Sequence, residues 1–222
     1  MAEPSVGLVG RMNSNANTSN GTNVALRLNR QGSLMVDSAL PARAELARAG
    51  RRFYYSGGVV ANAGAPVQDI GTTTALRALW NGEPQDGTGR SLVIEQVSAI
   101  MASGTAGLGT ALLAGVTGTV QAAAVANGTG VVLGKAAGQS GSSLATFGTA
   151  ITLAANPGWI AIGSLDQAAS VSIGAGIVVD LNGLFIVPPG KCLALTVIAP
   201  AGTSAKFTFS VVWSELALDL ES

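Results

Sequence analysis

The chain has few residues that could do chemistry, and it has no histidine at all. That removes the commonest general base and the commonest metal ligand together. The one cysteine, Cys192, has no partner for an intrachain disulfide and no zinc-ligand spacing around it. It opens the run Cys192-Leu-Ala-Leu-Thr-Val-Ile198 and reads as a small core hydrophobe on a strand. Gly128-Thr-Gly-Val-Val-Leu-Gly134-Lys135 resembles a phosphate loop. It is one residue too long, however, and Ala136 stands where the metal-binding Ser or Thr belongs. Gly104-Thr-Ala-Gly-Leu-Gly109 is not the dinucleotide fingerprint and has no βαβ surroundings. Glu83 and Asp86 share a loop and are the best carboxylate pair for glycoside hydrolysis. Asp166 and Asp180 lack a calcium-loop signature. The expectation is no enzyme, no cofactor and no metal.

Aromatic residues make up 5% of the chain. Trp80, Trp159 and Trp213 fall at or near the ends of expected strands, and Phe53, Tyr54 and Tyr55 form a cluster. Stacking on sugar would use such groups, but burial in a core is their commoner fate. Asn17, Asn20 and Asn127 each begin a glycosylation tripeptide. The opening Met-Ala-Glu-Pro does not read as a secretory leader, so these tripeptides carry little weight.

The elements that hold these residues read as β. Phe207, Phe209, Val211 and Trp213 lie two apart, so they share one face of a strand. Before them, Leu184–Val187 and Lys191–Ala199 are β-rich runs, broken by Pro188-Pro-Gly190 and Pro200-Ala-Gly202. Together the three runs read as an antiparallel meander with one buried face. Further strands are expected at Thr73–Trp80, where a short helix is the alternative, and at Ser91–Met101, Ala111–Val116, Ala150–Leu153, Trp159–Ile162 and Ile177–Asp180. In Ser91–Met101 the core candidates are Leu92, Ile94, Val97 and Ile100, and their slipping period predicts a bulge. Asn127-Gly128 reads as a hairpin turn. Turns recur every ~8–15 residues, the rhythm of a sandwich or barrel.

The N-terminal part differs. Residues 5–23 are rich in Asn, Ser, Thr and Gly. An arm that orders against a partner and a disordered terminus are both open readings. Val24–Leu28 and Ser33–Asp37 flank a turn at Asn29–Gly32, and Pro41–Ala49 reads as a short helix with Gly50 at its C′ position. Up to Arg52 there are seven arginines against three acids, a balance of +4; the rest has five cations against nine acids, a balance of −4. The basic segment either docks on an acidic surface or is an ordinary solvated face. Charged residues are only 11% of the chain, against about 25% in typical domains. That scarcity points to a symmetric oligomer or a larger assembly. No window gives ~18 uninterrupted apolar residues, and spread-out arginines with a net charge of zero argue against direct nucleic-acid binding.

The run Ala25-Leu-Arg-Leu-Asn-Arg-Gln-Gly-Ser-Leu-Met-Val36 and the helix ending Ala47-Arg-Ala-Gly-Arg-Arg-Phe53 resemble the opening of small virion structural proteins of tailed bacteriophages. Thr74–Trp80, the loop Asn81–Gly89 and Arg90–Val97 resemble the part that follows. The ending Val187-Pro-Pro-Gly-Lys191 through Val212-Trp-Ser-Glu215 resembles the closing strands of virion jelly rolls. The resemblance implies an all-β, jelly-roll-like antiparallel sandwich over 56–217. Ahead of it would lie a basic arm over 1–55 with a short hairpin and a helix at about 41–49, and after it an acidic tail over 218–222. It also implies a capsid decoration (cement) protein on the phage head, commonly trimeric, whose partners are the major capsid protein or other virion proteins. Arg11, Arg27, Arg30, Arg43, Arg51, Arg52, Phe53 and Tyr54 are the expected capsid or inter-subunit contacts. A tail or head-fibre module that binds host glycan is the alternative.

Overall fold

The structure is a computed structural model that describes residues 27–28, 34–35, 42–57, 61–62, 73–105, 107–119, 128–129, 131–132, 142–156, 158–167, 174–198 and 205–217. The chain forms two compact units, Met1–Ala42 and Arg43–Ser222. In the first, β1 (Arg27–Leu28) pairs antiparallel with β2 (Leu34–Met35), which places the short hairpin about the expected turn. Helix α1 spans Ala42–Arg48. It stops at Gly50, whose φ of 66° is left-handed. Gly50 N–H donates to Ala47 O, and Arg51 N–H to Leu46 O. These two bonds are the Schellman closure that the C′ glycine makes available.

The second unit is an all-β sandwich of two antiparallel sheets. One sheet runs β11 (Ile160–Gln167), β7 (Gly109–Gly118), β14 (Cys192–Ile198), β5 (Thr74–Trp80), β10 (Thr146–Thr152) and β8 (Gly128–Thr129). The other runs β12 (Gly176–Asp180), β6 (Ser91–Ser103), β15 (Lys206–Leu216), β3 (Arg52–Ser56) and β9 (Val131–Val132). On this second sheet β13 (Ile186–Val187) also pairs with β6, and β4 (Ala61–Asn62) with β15.

Between the sheets lies the core. Phe207, Phe209, Val211 and Trp213 of β15 all have zero exposure, as do Leu193, Leu195 and Val197 of β14 in the opposite sheet. Each such side chain contributes about 1.5–3 kcal/mol of burial. Phe53 stacks on Trp213 with ring centroids 5.9 Å apart. Tyr55 of β3 stacks on Phe147 of β10, in the other sheet, at 4.4 Å. At the β11–β12 side Gly163 lets the layers approach. A Cβ there would sit 2.6 Å from Ile177 Cγ2 and 2.8 Å from Val179 Cγ2.

Several expectations change. The last three β runs are not a meander: β13 pairs with β6, β14 with β5 and β7, and β15 with β6 and β3. The turn Pro188–Gly190 and the segment after Ile198 carry the chain from one sheet to the other, so alternating burial is shared between layers. Arg52–Tyr55, expected in the arm, belong with Ser56 to an inner strand of the sandwich, between β15 and β9. Phe53 stacks on Trp213 of the neighbouring strand β15, and Tyr55 on Phe147 across the core. Ile100 is 38% exposed, and Met101 takes the core position instead, because the bulge falls earlier. Val212 pairs with Gln96 and Trp213 with Ile94, leaving Glu95 as the extra residue. Gly128 is not in a hairpin turn; it lies in β8, paired with β10, while β9 joins β3. The segments 5–23, 120–125, 135–141, 171–173 and 218–222 lie outside the described residues.

Candidate interaction surface

The bulge at Glu95 builds a polar cluster on the outer side of the seven-stranded sheet. The Glu95 carbonyl accepts N–H bonds from Leu181 (2.7 Å) and Asn182 (3.2 Å), and its side chain turns toward β3 and β15. Arg52 Nη2 lies 2.7 Å and Nε 3.0 Å from Glu95 Oε2. Ser214 Oγ donates to Glu95 Oε1. Arg43 of α1 places its Nε 3.7 Å from the same carboxylate and donates through Nη2 to Asn182 Oδ1. Asn182 holds a left-handed φ of 47°, a conformation Asn tolerates better than most residues. Two arginines against one carboxylate leave a net charge of +1 in a group that reaches from Arg52 of β3 to Asn182, just after β12.

The eight expected contact residues therefore divide. Arg43 and Arg52 are brought together by Glu95, so Arg52 is engaged within the chain. Arg51 is exposed, and its carbonyl accepts the Glu215 N–H at 2.9 Å. Phe53 is corrected: at 1% exposure it is a core residue and offers no surface. Tyr54, the next residue, points outward and is 38% exposed. Arg27 lies in β1, while Arg11 and Arg30 fall outside the described residues.

A second buried acid closes one end of the sandwich. Glu215 has no exposure. Its Oε2 is 3.3 Å from Arg90 Nη1, and its Oε1 accepts from Ser143 Oγ. Burial pushes its carboxyl above the usual range, reinforced by the charge of Glu83; the Ser143 bond and Arg90 oppose this. Beside it the buried Asn81 side chain donates to Arg90 O (2.8 Å) and Val187 O (2.9 Å). Sequence reasoning missed both acids. The available signal was a charge at the point where the alternation of Ser91–Met101 slips. Of the Glu83/Asp86 pair, Asp86 Oδ1 accepts from the Thr88 hydroxyl (2.6 Å) and backbone N–H, which hold its carboxyl below its usual range. Cys192 is buried, and burial raises its thiol to about 11, so it is a packing residue as expected. Among the described residues no three His, Cys, Asp or Glu are placed to hold a metal ion, and no helix is long and apolar enough to cross a membrane.

The outer faces of the two sheets differ. On the six-stranded sheet Ala78, Ala114, Ala194, Cys192 and Thr196 are all buried, and Trp80 and Trp159 pack against that side. On the seven-stranded sheet the outward residues form cross-strand rows that are exposed at Val178, Asp180, Ser56 and Tyr54 and buried at Ser98. One row joins Val178, Ser98, Ser210 and Ser56. The next joins Asp180, Gln96, Val212 and Tyr54. Ile100 and Thr208 stand in the row before them, and Ile186 pairs with Val93 in the row after. Val178 is 60% exposed.

No family model matches the chain, and comparison with curated proteins and with solved structures gave no match either.

Proposed function

We propose that this chain is a structural protein of a tailed-phage particle, a capsid decoration protein that binds the head shell and stabilises it as a homo-oligomer, with a trimer as the expected order. The observation that carries the reading is the strand path. One set runs β3, β15, β6, β12 and the facing set runs β5, β14, β7, β11. In chain order, each step between these eight strands changes sheet except β7 to β11. That path supports assignment as a jelly roll, the double Greek key found in capsid proteins. The separate unit Met1–Ala42 and the low charge content fit a subunit that works by surface burial in an array, where many weak contacts add by avidity.

The test is co-sedimentation with empty capsids assembled from the major capsid protein of the same genome. The full chain is expected to pellet with the capsids. Residues 24–222 are expected to stay in the supernatant with an unchanged β-type circular dichroism spectrum. A full chain that ignores the capsid overturns the proposal; binding to host-cell glycan instead would make it a fibre module.

A further inference from the structure

An asparagine followed by glycine is open to attack by the next backbone nitrogen, because glycine has no Cβ to obstruct the approach. The chain has four such pairs, at Asn20, Asn81, Asn127 and Asn182. Asn20 and Asn127 lie outside the described residues. The other two have opposite surroundings. Asn81 has no exposure. Its Nδ2 donates to Arg90 O and Val187 O, and its Oδ1 accepts from the Glu83 N–H, so its amide is fixed and shielded from water. Asn182 is exposed. With Gly183 it forms the centre of a turn that the Leu184 N–H closes on Leu181 O (2.8 Å). Both central residues are left-handed, with φ of 47° and 84°, the I′ pattern that Asn-Gly favours.

We infer that Asn182 is a site of spontaneous deamidation whose rate is set by Arg43 of α1. In this reaction Gly183 N bonds to Asn182 Cγ, its proton passes to the side-chain nitrogen, and ammonia leaves. One water then opens the cyclic imide at either carbonyl, giving aspartate or isoaspartate. Ring closure needs the Gly183 nitrogen and the Asn182 side chain free to turn toward each other. The Gly183 N–H is engaged by Ile94 O (2.9 Å), and the Asn182 N–H by Glu95 O (3.2 Å). The Asn182 side chain is engaged through its Oδ1 by Arg43 Nη2. This last restraint is the most easily released. The Arg43 side chain is 49% exposed and lies 3.7 Å from the Glu95 carboxylate, whose closer partner is Arg52 at 2.7 Å. When Arg43 lifts away, the amide is free to rotate and the turn to open.

Either product changes what α1 meets. Aspartate sets a second carboxylate against Arg43 and takes the group of Arg43, Arg52 and Glu95 from a net charge of +1 to 0. Isoaspartate lengthens the backbone by a methylene in a turn that two N–H bonds fix on Glu95 and Ile94 of β6, and so shifts its register. The contact between α1 and the sandwich is therefore time-dependent.

The inference does not rest on the virion reading. The experiment is peptide mapping by mass spectrometry of the full chain incubated at mildly alkaline pH, folded and in urea. Arg43→Ala and Arg51→Ala are run alongside, with circular dichroism as the check on folding. In urea both Asn81 and Asn182 are expected to convert. In the folded wild type Asn182 is expected to convert slowly and Asn81 not at all. Arg43→Ala is expected to speed conversion at Asn182 by about fivefold, the effect of losing one half-exposed hydrogen bond to a charged group. Arg51→Ala, at an exposed arginine beyond the helix, should leave the rate unchanged. Asn182 unconverted in both the folded wild type and Arg43→Ala overturns the inference. So does conversion in the folded wild type at the urea rate, or an acceleration by Arg43→Ala no larger than that by Arg51→Ala. Conversion of Asn81 in step with Asn182 also overturns it, because global unfolding would then be the route.

Discussion

At the scale of single residues, the two buried glutamates matter most, and they differ in kind. Glu95 is held by two arginines and a serine, so its charge is answered where it lies. Glu215 has one arginine at 3.3 Å and the like charge of Glu83 nearby. Its carboxyl is raised in the folded state and ordinary in the unfolded chain. A raised carboxyl favours folding below its unfolded value and loses that contribution as pH rises through the folded one. Wild-type stability should therefore fall from the ordinary carboxylate range upward. Glu215→Gln keeps an acceptor for Ser143 without the charge, so thermal melts should show it about 2–4 °C more stable at pH 8 and level with wild type at pH 4. Parallel pH profiles for the two proteins would show that the buried charge has no such cost.

At the scale of elements, β3 and the β11–β12 side decide how the sandwich closes. The compact unit starts at Arg43, and Phe53 and Tyr55 of β3 stack on Trp213 and Phe147. A chain beginning at Arg43 should unfold cooperatively in urea with a midpoint close to that of the full protein. One beginning at Gly58 should have no native transition, since removing an aromatic anchor such as Phe53 alone costs about 3–5 kcal/mol. The far side depends on Gly163. Ala at this position would drive its Cβ into Ile177 and Val179, and denaturant melts should show a loss of about 1–3 kcal/mol. No loss would mean that β12 shifts freely against β11.

At the scale of the whole molecule, a chain with 11% charged residues packs its own tryptophans against one outer sheet face and exposes Tyr54, Ile100, Val178 and Ile186 on the other. Exposed apolar side chains of this kind lower the free energy of the chain when they are covered, as the proposed virion oligomer would cover them. On the virion reading, removal of residues 1–23 separates particle binding from folding, which is why the capsid assay is the decisive measurement.

The sequence by itself determined the β content, the identity of the core strand β15, the helix with its glycine stop, and the slip that became the Glu95 bulge. These follow from local rules: period-two alternation, the left-handed freedom of Gly50, and turn residues at strand ends. It also determined that Cys192 would be buried, since it opens the apolar run Cys192–Ile198. Only the tertiary structure decided which strands pair. Alternation says that a strand has a buried face but not which sheet it joins, so Ile186–Val187, Cys192–Ile198 and Lys206–Leu216 looked like one meander although they alternate between layers. For the same reason Phe53 reads from sequence as a surface contact: a short aromatic run beside two arginines fits an arm as well as a strand. Its place was settled by Trp213, 160 positions along the chain, through a stacking contact that no local pattern encodes.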